Sequence, residues 1–220
     1  MDRTKVVLIS LLGTVVLAAL MFGCAGRWEL PNLWGYMVLT GIEALVLGLV
    51  IDPDLARERL HPGPGGHDWS GVWVMGLAYV MHLAIACLDV GRFHWSDTVP
   101  VALQALGAIA YAAGLAVGAW AMGVNRFFSS VIRIQRDRGQ VVVTQGPYHY
   151  MRHPGYAAGI LSILGSPLFL GSWWAMAPCL VMLVAMLRRT VREDALLKRE
   201  LPGYADYARA VPFRLLPGVW

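Results

Sequence analysis

Most hydrophobic positions in this chain come in long blocks, unlike the alternating or 3.6-residue stripes that half-bury an element in a soluble domain. Six blocks stand out, at residues 5–22, 33–51, 71–89, 99–122, 155–170 and 173–188. A helix needs ~20 apolar residues to cross the hydrocarbon core, within about 17–25. The first four blocks meet that length. The last two form a tight pair joined at Gly171-Ser172, with Pro167 and Pro178 placed to kink them, and read either as a full hairpin or as a shallower, tilted one. The pattern predicts an all-α fold, a polytopic transmembrane bundle of about six spans.

The polar intervals differ in kind. Residues 52–70 (DPDLARERLHPGPGGHDWS) start as a short polar helix at 54–60 and break into a Pro/Gly-rich turn ending at Trp69, an interfacial anchor. The charges of this interval are mixed, as in a solvated loop, and the interval 91–98 is short and structural. The long interval 123–153 holds the one strand-like run, QVVVT at 140–144. Before it, NRFFSSVIRIQR at 125–136 alternates apolar with polar or basic residues, which predicts an element lying along the membrane with Phe127 and Phe128 in the lipid boundary. Backbone that leaves the helix at membrane level must be covered by protein or line a cavity. After the last block, residues 188–197 continue as an amphipathic helix that stops at Pro202-Gly203.

Small residues mark close helix packing: Ala110, Gly114 and Gly118 share one stripe of the fourth block, and Ala158, Ser162 and Ser166 one of the fifth. Glu43 and His82 are ionisable groups inside apolar blocks at similar depth. An interhelical hydrogen bond between them is the expected structural role, and a catalytic Glu43 is the alternative.

Composition adds to this picture. The chain is 57% hydrophobic and 15% charged, with mean hydropathy +0.56, which excludes an ordinary soluble domain. The first block is long enough to span and lacks a small-residue cleavage site, so it does not read as a signal peptide. Cys24, Cys87 and Cys179 are far apart and show no disulfide framework or metal-ligand spacing. A net charge of +4 does not point to nucleic acid, because position matters more than the sum. With a cytoplasmic N-terminus, Arg3, Lys5, Arg57, Arg59, Arg126, Arg133, Arg136, Arg138, Arg152 and the basic residues from Arg188 onward all face the cytoplasm, leaving Arg27 and Arg92 outside. Both termini are therefore expected in the cytoplasm, consistent with a bacterial inner (plasma) membrane. Arg133, Arg136 and Arg138 read as lipid-headgroup anchors.

The densest chemistry lies in GPYHYMRHPGY, residues 146–156. Pro154 disfavours helix at His153 and pre-sets the helical φ of a new first turn. Free N–H groups at that helix start, beside Arg152 and His153, would form an anion site. A basic membrane-edge loop is the other reading of the same residues.

Taken in order, this motif, then Glu193-Asp194 with Leu196-Leu197, then Tyr204-x-x-Tyr207 and Pro212-x-Arg214-x-x-Pro217, resembles the isoprenylcysteine carboxyl methyltransferase family and the wider group of phospholipid methyltransferase-like membrane enzymes. The family's RHPxY stands as Arg152-His153-Pro154-Gly155-Tyr156, followed by a small residue at Gly159; Asp194 replaces the second glutamate of its Glu-Glu pair. Asn125-Arg126-Phe127-Phe128-Ser129 also resembles the stretch before the family's cofactor loop. The likeness runs from about residue 55 to the C-terminus. It implies a single integral-membrane methyltransferase domain over 1–220, in which 1–30 is an extra N-terminal helix and 123–220 the cofactor-binding core.

The resemblance further implies S-adenosyl-L-methionine bound at the cytoplasmic membrane edge by Gly146, Tyr148, Arg152, His153, Pro154, Tyr156, Gly159, Glu193 and Asp194. The two acids suit its amino group or ribose hydroxyls, Arg152 and the helix start its carboxylate, and Tyr148 and Tyr156 its adenine or sulfonium through stacking or cation–π contact. The acceptor would be a lipophilic molecule entering from the bilayer, with a prenylcysteine-type carboxylate foremost and a phospholipid amine or small thiol as alternatives. A carboxylate needs no base, and Arg192 or Arg214 could orient it; an amine or thiol would need one, from His149 or Glu193. No glycine-rich dinucleotide fingerprint is present. A sterol-type reductase would need more spans, and a transporter would show inverted repeats with interrupted helices, which this chain lacks.

Overall fold

The computed structural model describes residues 3–220. Its described residues form eight α-helices and no β-strand: α1 (Arg3–Ala25), α2 (Pro31–Val50), α3 (Pro53–Leu60), α4 (Trp69–Leu88), α5 (Val101–Val124), α6 (Pro154–Leu170), α7 (Met176–Glu200) and α8 (Tyr204–Ala210). α1, α2, α4 with its continuation to Phe93, and α5 are each long and apolar enough to cross a membrane. α6 is apolar but has 17 residues, and α7 is apolar only in its first half. Large apolar side chains such as Leu12, Val15, Trp73, Leu77 and Ile109 point outward, as lipid-facing residues do.

Helix starts and stops follow local chemistry. Pro31, Pro53 and Pro154 sit at first-turn positions, where the missing N–H costs nothing. Asp52 caps α3 by accepting from the Asp54 amide at 2.8 Å. Gly171 ends α6 in the left-handed conformation (φ 81°).

α5 and α6 pack backbone to backbone. A Cβ on Gly165 would lie 2.7 Å from the Gly107 carbonyl oxygen, and one on Gly114 would lie 2.7 Å from the Ala158 carbonyl oxygen and overlap the Ser162 hydroxyl. The small-residue stripes read from the sequence are this interface.

The bundle has a polar node at each end. At one end Asp89, fully buried in a π-helical turn (Asp89–Phe93), accepts from the Ser96 amide at 2.9 Å and from the hydroxyls of Ser96 and Ser172, tying the turn after α4 to the α6–α7 junction. Arg92 donates to the Cys24 and Gly23 carbonyls at the same end. The other end carries α3, α8, the 123–153 segment and the polar half of α7.

Glu43 and His82 do not meet. His82 is buried and uses both ring nitrogens elsewhere: Nε2 lies 2.7 Å from Ser166 Oγ, and Nδ1 lies 3.1 Å from the Ala175 carbonyl oxygen and 3.2 Å from Cys179 Sγ. The two groups are at similar depth in sequence, but α4 turns His82 toward α6 and α7, away from α2. Glu43 instead lies within electrostatic reach of Arg59 on α3.

Candidate functional site

Between α7, the start of α6, α8 and the 123–153 segment lies a cavity of about 290 Å³. Its floor and walls include Phe127, Phe128, Tyr148, Tyr156, Tyr204 and Tyr207, and Met75 and Met186 line it from α4 and α7. A Cβ on Gly155 would overlap the Phe128 ring, so this glycine lets the aromatic face lie against the first turn of α6. Phe127 and Phe128 therefore turn inward, and do not sit in the lipid boundary as their alternation predicts. The run 140–144 forms no strand, and Gln140, Val141, Val142 and Val143 line the cavity. Irregular backbone at this level is covered by protein, as the energetics of unpaired amides require.

The RHP loop is fixed by the C-terminal tail. Arg152 N–H donates to Phe213 O at 3.0 Å and His153 N–H to Arg214 O at 2.9 Å. Its side chains converge on Asp194, which is 1% exposed. Arg152 donates to it from Nε (2.8 Å) and Nη2 (3.2 Å), and Lys198 (3.0 Å) and Arg214 (3.1 Å) pair with Oδ2. Tyr204 OH donates to Oδ1 at 3.1 Å, and His153 Nε2 lies 3.3 Å from the same oxygen. Burial disfavours the charge on Asp194, but His153, Arg152, Lys198 and Arg214 outweigh it and hold the carboxyl far below the usual carboxylate range. Asp194 is an internal counter-ion and does not line the cavity.

Glu193, one residue earlier, lines the cavity and accepts a hydrogen bond from Tyr156 OH at 2.7 Å, with no arginine or lysine paired to it among the described residues. Four arginines also line the cavity: Arg59, Arg133, Arg152 and Arg189. Arg133 is no headgroup anchor; its buried guanidinium is forked onto Glu58 at 2.8 Å from both Nε and Nη2 and bridged to Asp137 at 2.7 Å. Burial opposes the charge on Glu58, but hydrogen bonds from Arg133, Ser129 and Gly63 lower its pKa overall. Arg138 pairs with Asp54 at 2.7 Å, and exposed Arg136 lies 3.6 Å from Glu200. Arg59 lies over the Phe128 ring at 5.3 Å.

The residues singled out from the sequence thus divide. Tyr148, Arg152, His153, Tyr156 and Glu193 line the cavity together. Pro154 is buried at the start of α6, Gly146 (φ 58°) packs beside Trp120 and Val124, and Gly159 faces Met186, each shaping the wall from behind. Arg192 is exposed and pairs with Asp68 at 3.0 Å, and Arg214 is taken up by Asp194 and the Trp220 ring; neither lines the cavity. His149 is exposed and outside it. The α6 start offers less to an anion than its sequence promised, since the Tyr156 and Ala157 amides both donate to His153 O at 3.1 Å. Sequence reasoning missed Arg59, Asn125, Gln135, Gln140 and Arg189 as lining residues. For Arg189 a signal existed: it stands four residues before Glu193, on the same face of α7.

Residues 102–202, from the first turn of α5 to just past α7, match the model of the phospholipid methyltransferase family. Over this segment the chain is similar to the phospholipid methyltransferases. The chain is also similar to two curated proteins. One is the nickel-cobalt-cadmium resistance protein NccN of Alcaligenes xylosoxydans xylosoxydans, 27% identical over 164 residues, which are 74% of this chain and 66% of the relative. The other is the cobalt-zinc-cadmium resistance protein CzcN of Cupriavidus metallidurans, 29% identical over 168 residues, 76% of this chain and 67% of the relative. The matched stretch thus spans about two thirds of each relative's own length. The matched segment holds the RHP loop, Glu193 and Asp194, while Arg59 of α3, Met75 of α4 and Tyr204 and Tyr207 of α8 line the cavity from outside it.

Proposed function

We propose that the chain is a membrane methyltransferase that uses S-adenosyl-L-methionine and holds it in the cavity between α6, α7 and the 123–153 segment. The observation that carries this reading is Glu193: a carboxylate without a cationic partner among the described residues, set beside tyrosines in the cavity of a segment that matches a methyltransferase family. The donor set suits the cofactor. Glu193 takes the ammonium, Tyr148, Tyr156 and Phe128 offer aromatic faces to adenine and sulfonium, and Asn125 and Gln140 supply amide donors and acceptors. When bound, the sulfonium supplies an activated methyl group for in-line displacement. The chain's part is to orient the two reactants and exclude water.

The acceptor in this reading is a lipophilic molecule arriving from the bilayer past Met75 and Met186, the apolar wall contributed by α4 and α7. A carboxylate acceptor is ionised at neutral pH and needs orientation only, for which Arg59 is better situated than Arg192 or Arg214, because it lines the cavity. The α6–α7 hairpin completes six crossings with the cavity at the cytoplasmic face, a reading supported by the basic bias of the polar segments. The relatives named above are described by metal resistance, and we carry no metal-handling role over to this chain. Among the described residues no group of three or more His, Cys, Asp or Glu is arranged to hold a metal ion.

A thermal-shift or calorimetric titration of detergent-solubilised protein decides the matter. S-adenosylhomocysteine should raise Tm and bind with measurable heat, and NADP should do neither. A folded protein indifferent to S-adenosylhomocysteine would overturn the reading.

A further inference from the structure

Arg189 is 4% exposed, lines the cavity and carries an unsatisfied donor: its Nε is buried without a hydrogen-bond partner. The rest of the guanidinium is anchored. Nη1 donates to Asp68 Oδ2 at 3.1 Å and Nη2 to the Ser130 carbonyl at 3.0 Å. An orphaned buried N–H of a charged group is costly, and native structures rarely keep one without a use for it. By contrast, Arg133 and Arg152 are fully forked onto Glu58 and Asp194.

Charge points the same way. Asp68 is shared between Arg189 and Arg192, so one carboxylate stands against two guanidiniums and the cluster keeps a positive charge. Four residues further along α7, Glu193 faces the same cavity. Arg and Glu at that spacing are helix-surface neighbours, ~5–6 Å apart at Cβ, and would ordinarily pair. Here each is held by a different group, Arg189 by Asp68 and Ser130 and Glu193 by Tyr156, and the Tyr156 hydroxyl lies close to both. One helix face therefore presents a cation with a spare donor and an anion with a spare acceptor, side by side and unpaired with each other.

We propose that Arg189 and Glu193 together read an α-amino-acid group, Arg189 Nε donating to its carboxylate and Glu193 accepting from its ammonium, and so grip the methionine end of the methyl donor. The assignment rests on the methyltransferase reading and deepens it. It moves the carboxylate contact from Arg152, which Asp194 occupies, to Arg189. An α-amino acid carries both charges on one carbon, so a ligand with both ends is gripped and a ligand with neither has nothing to engage.

The test pairs two ligands with two variants. S-adenosylhomocysteine has the amino-acid end, and 5′-methylthioadenosine is a similar nucleoside thioether without it. Calorimetry on detergent-solubilised wild type should show S-adenosylhomocysteine binding much more tightly. Arg189→Lys keeps a cation for Asp68 and removes the Nε donor. It should reduce that preference about 10- to 100-fold, the range for a hydrogen bond to a charged group, and leave 5′-methylthioadenosine affinity unchanged. Arg189→Gln removes the charge as well and should reduce the preference at least as far. A wild-type preference retained in both variants overturns the proposal, and would be the result if Arg189 served the acid group of the acceptor instead. Unaltered binding of 5′-methylthioadenosine shows that the variants are folded; should Arg189→Gln lose it, Arg189→Lys alone decides. Wild type that binds neither ligand overturns the methyltransferase reading itself, a different outcome from a preference that survives substitution.

Discussion

Glu193 and Asp194 are adjacent in sequence, but one faces the cavity and the other is enclosed by Arg152, His153, Lys198 and Arg214. Removing one member of a buried ion pair costs about 3–5 kcal/mol, because the partner charge is left uncompensated. Asp194→Ala should therefore lower Tm sharply, and Arg152→Ala should do the same and not act as a clean binding mutant. Glu193→Gln should leave Tm near wild type and weaken S-adenosylhomocysteine binding. The pH dependence follows from the depressed pKa of Asp194. Its stabilisation is present above the unfolded-state value, near 4, and is lost as pH falls from there toward the folded-state value. Glu58, also depressed, adds in the same sense. Tm measured between pH 7 and 3 should fall below about pH 4, and Asp194→Asn should start lower and fall less. The sequence displayed the acidic pair but not this division of roles. Lys198, four residues on, could be foreseen as a helical partner; Arg152 and Arg214 arrive from elements whose docking no local pattern specifies.

At the scale of the elements, the α5–α6 contact is the most demanding. Gly114→Ala would force a methyl against the Ala158 carbonyl and the Ser162 hydroxyl, and overpacking of this kind costs about 1–3 kcal/mol. Gly76→Ala in α4 meets no atom within 4 Å and should be neutral or slightly stabilising. Melting curves of the two variants separate a packing effect from helix propensity. The apolar blocks and small-residue stripes made these helices legible before any coordinates, since length and residue size are written locally. The 123–153 segment was harder to read. Its alternation suits a surface strand or an interfacial element, and the inward turn of Phe127 and Phe128 depends on Gly155 leaving room in another element.

For the molecule as a whole, the two polar nodes set the expected topology. Single cysteines at His149, Arg209 and Trp174, in a background without the native Cys24, Cys87 and Cys179, probe it with a membrane-impermeant maleimide. All three positions are exposed. His149→Cys and Arg209→Cys should label from one side and Trp174→Cys from the other. Labelling of all three from one side would make the α6–α7 hairpin re-entrant. The basic bias of the sequence predicts which side the site faces, whereas the partnering of Arg133 with Glu58 and Asp137 shows why counting arginines overstates contact with lipid.

Because nothing thicker than a hydrogen separates α5 from α6 at Gly107, Gly114 and Gly165, the pair behaves as one stiff beam. The RHP loop sits at the tip of that beam and cannot shift without carrying α5 along. Asp194, held by Arg152 and His153, fastens α7 to the same frame, so accommodation to an arriving molecule falls on side chains that can re-pack, Met186 foremost. Glu193 and Arg189 are mounted on that frame, so a ligand meets them already in place.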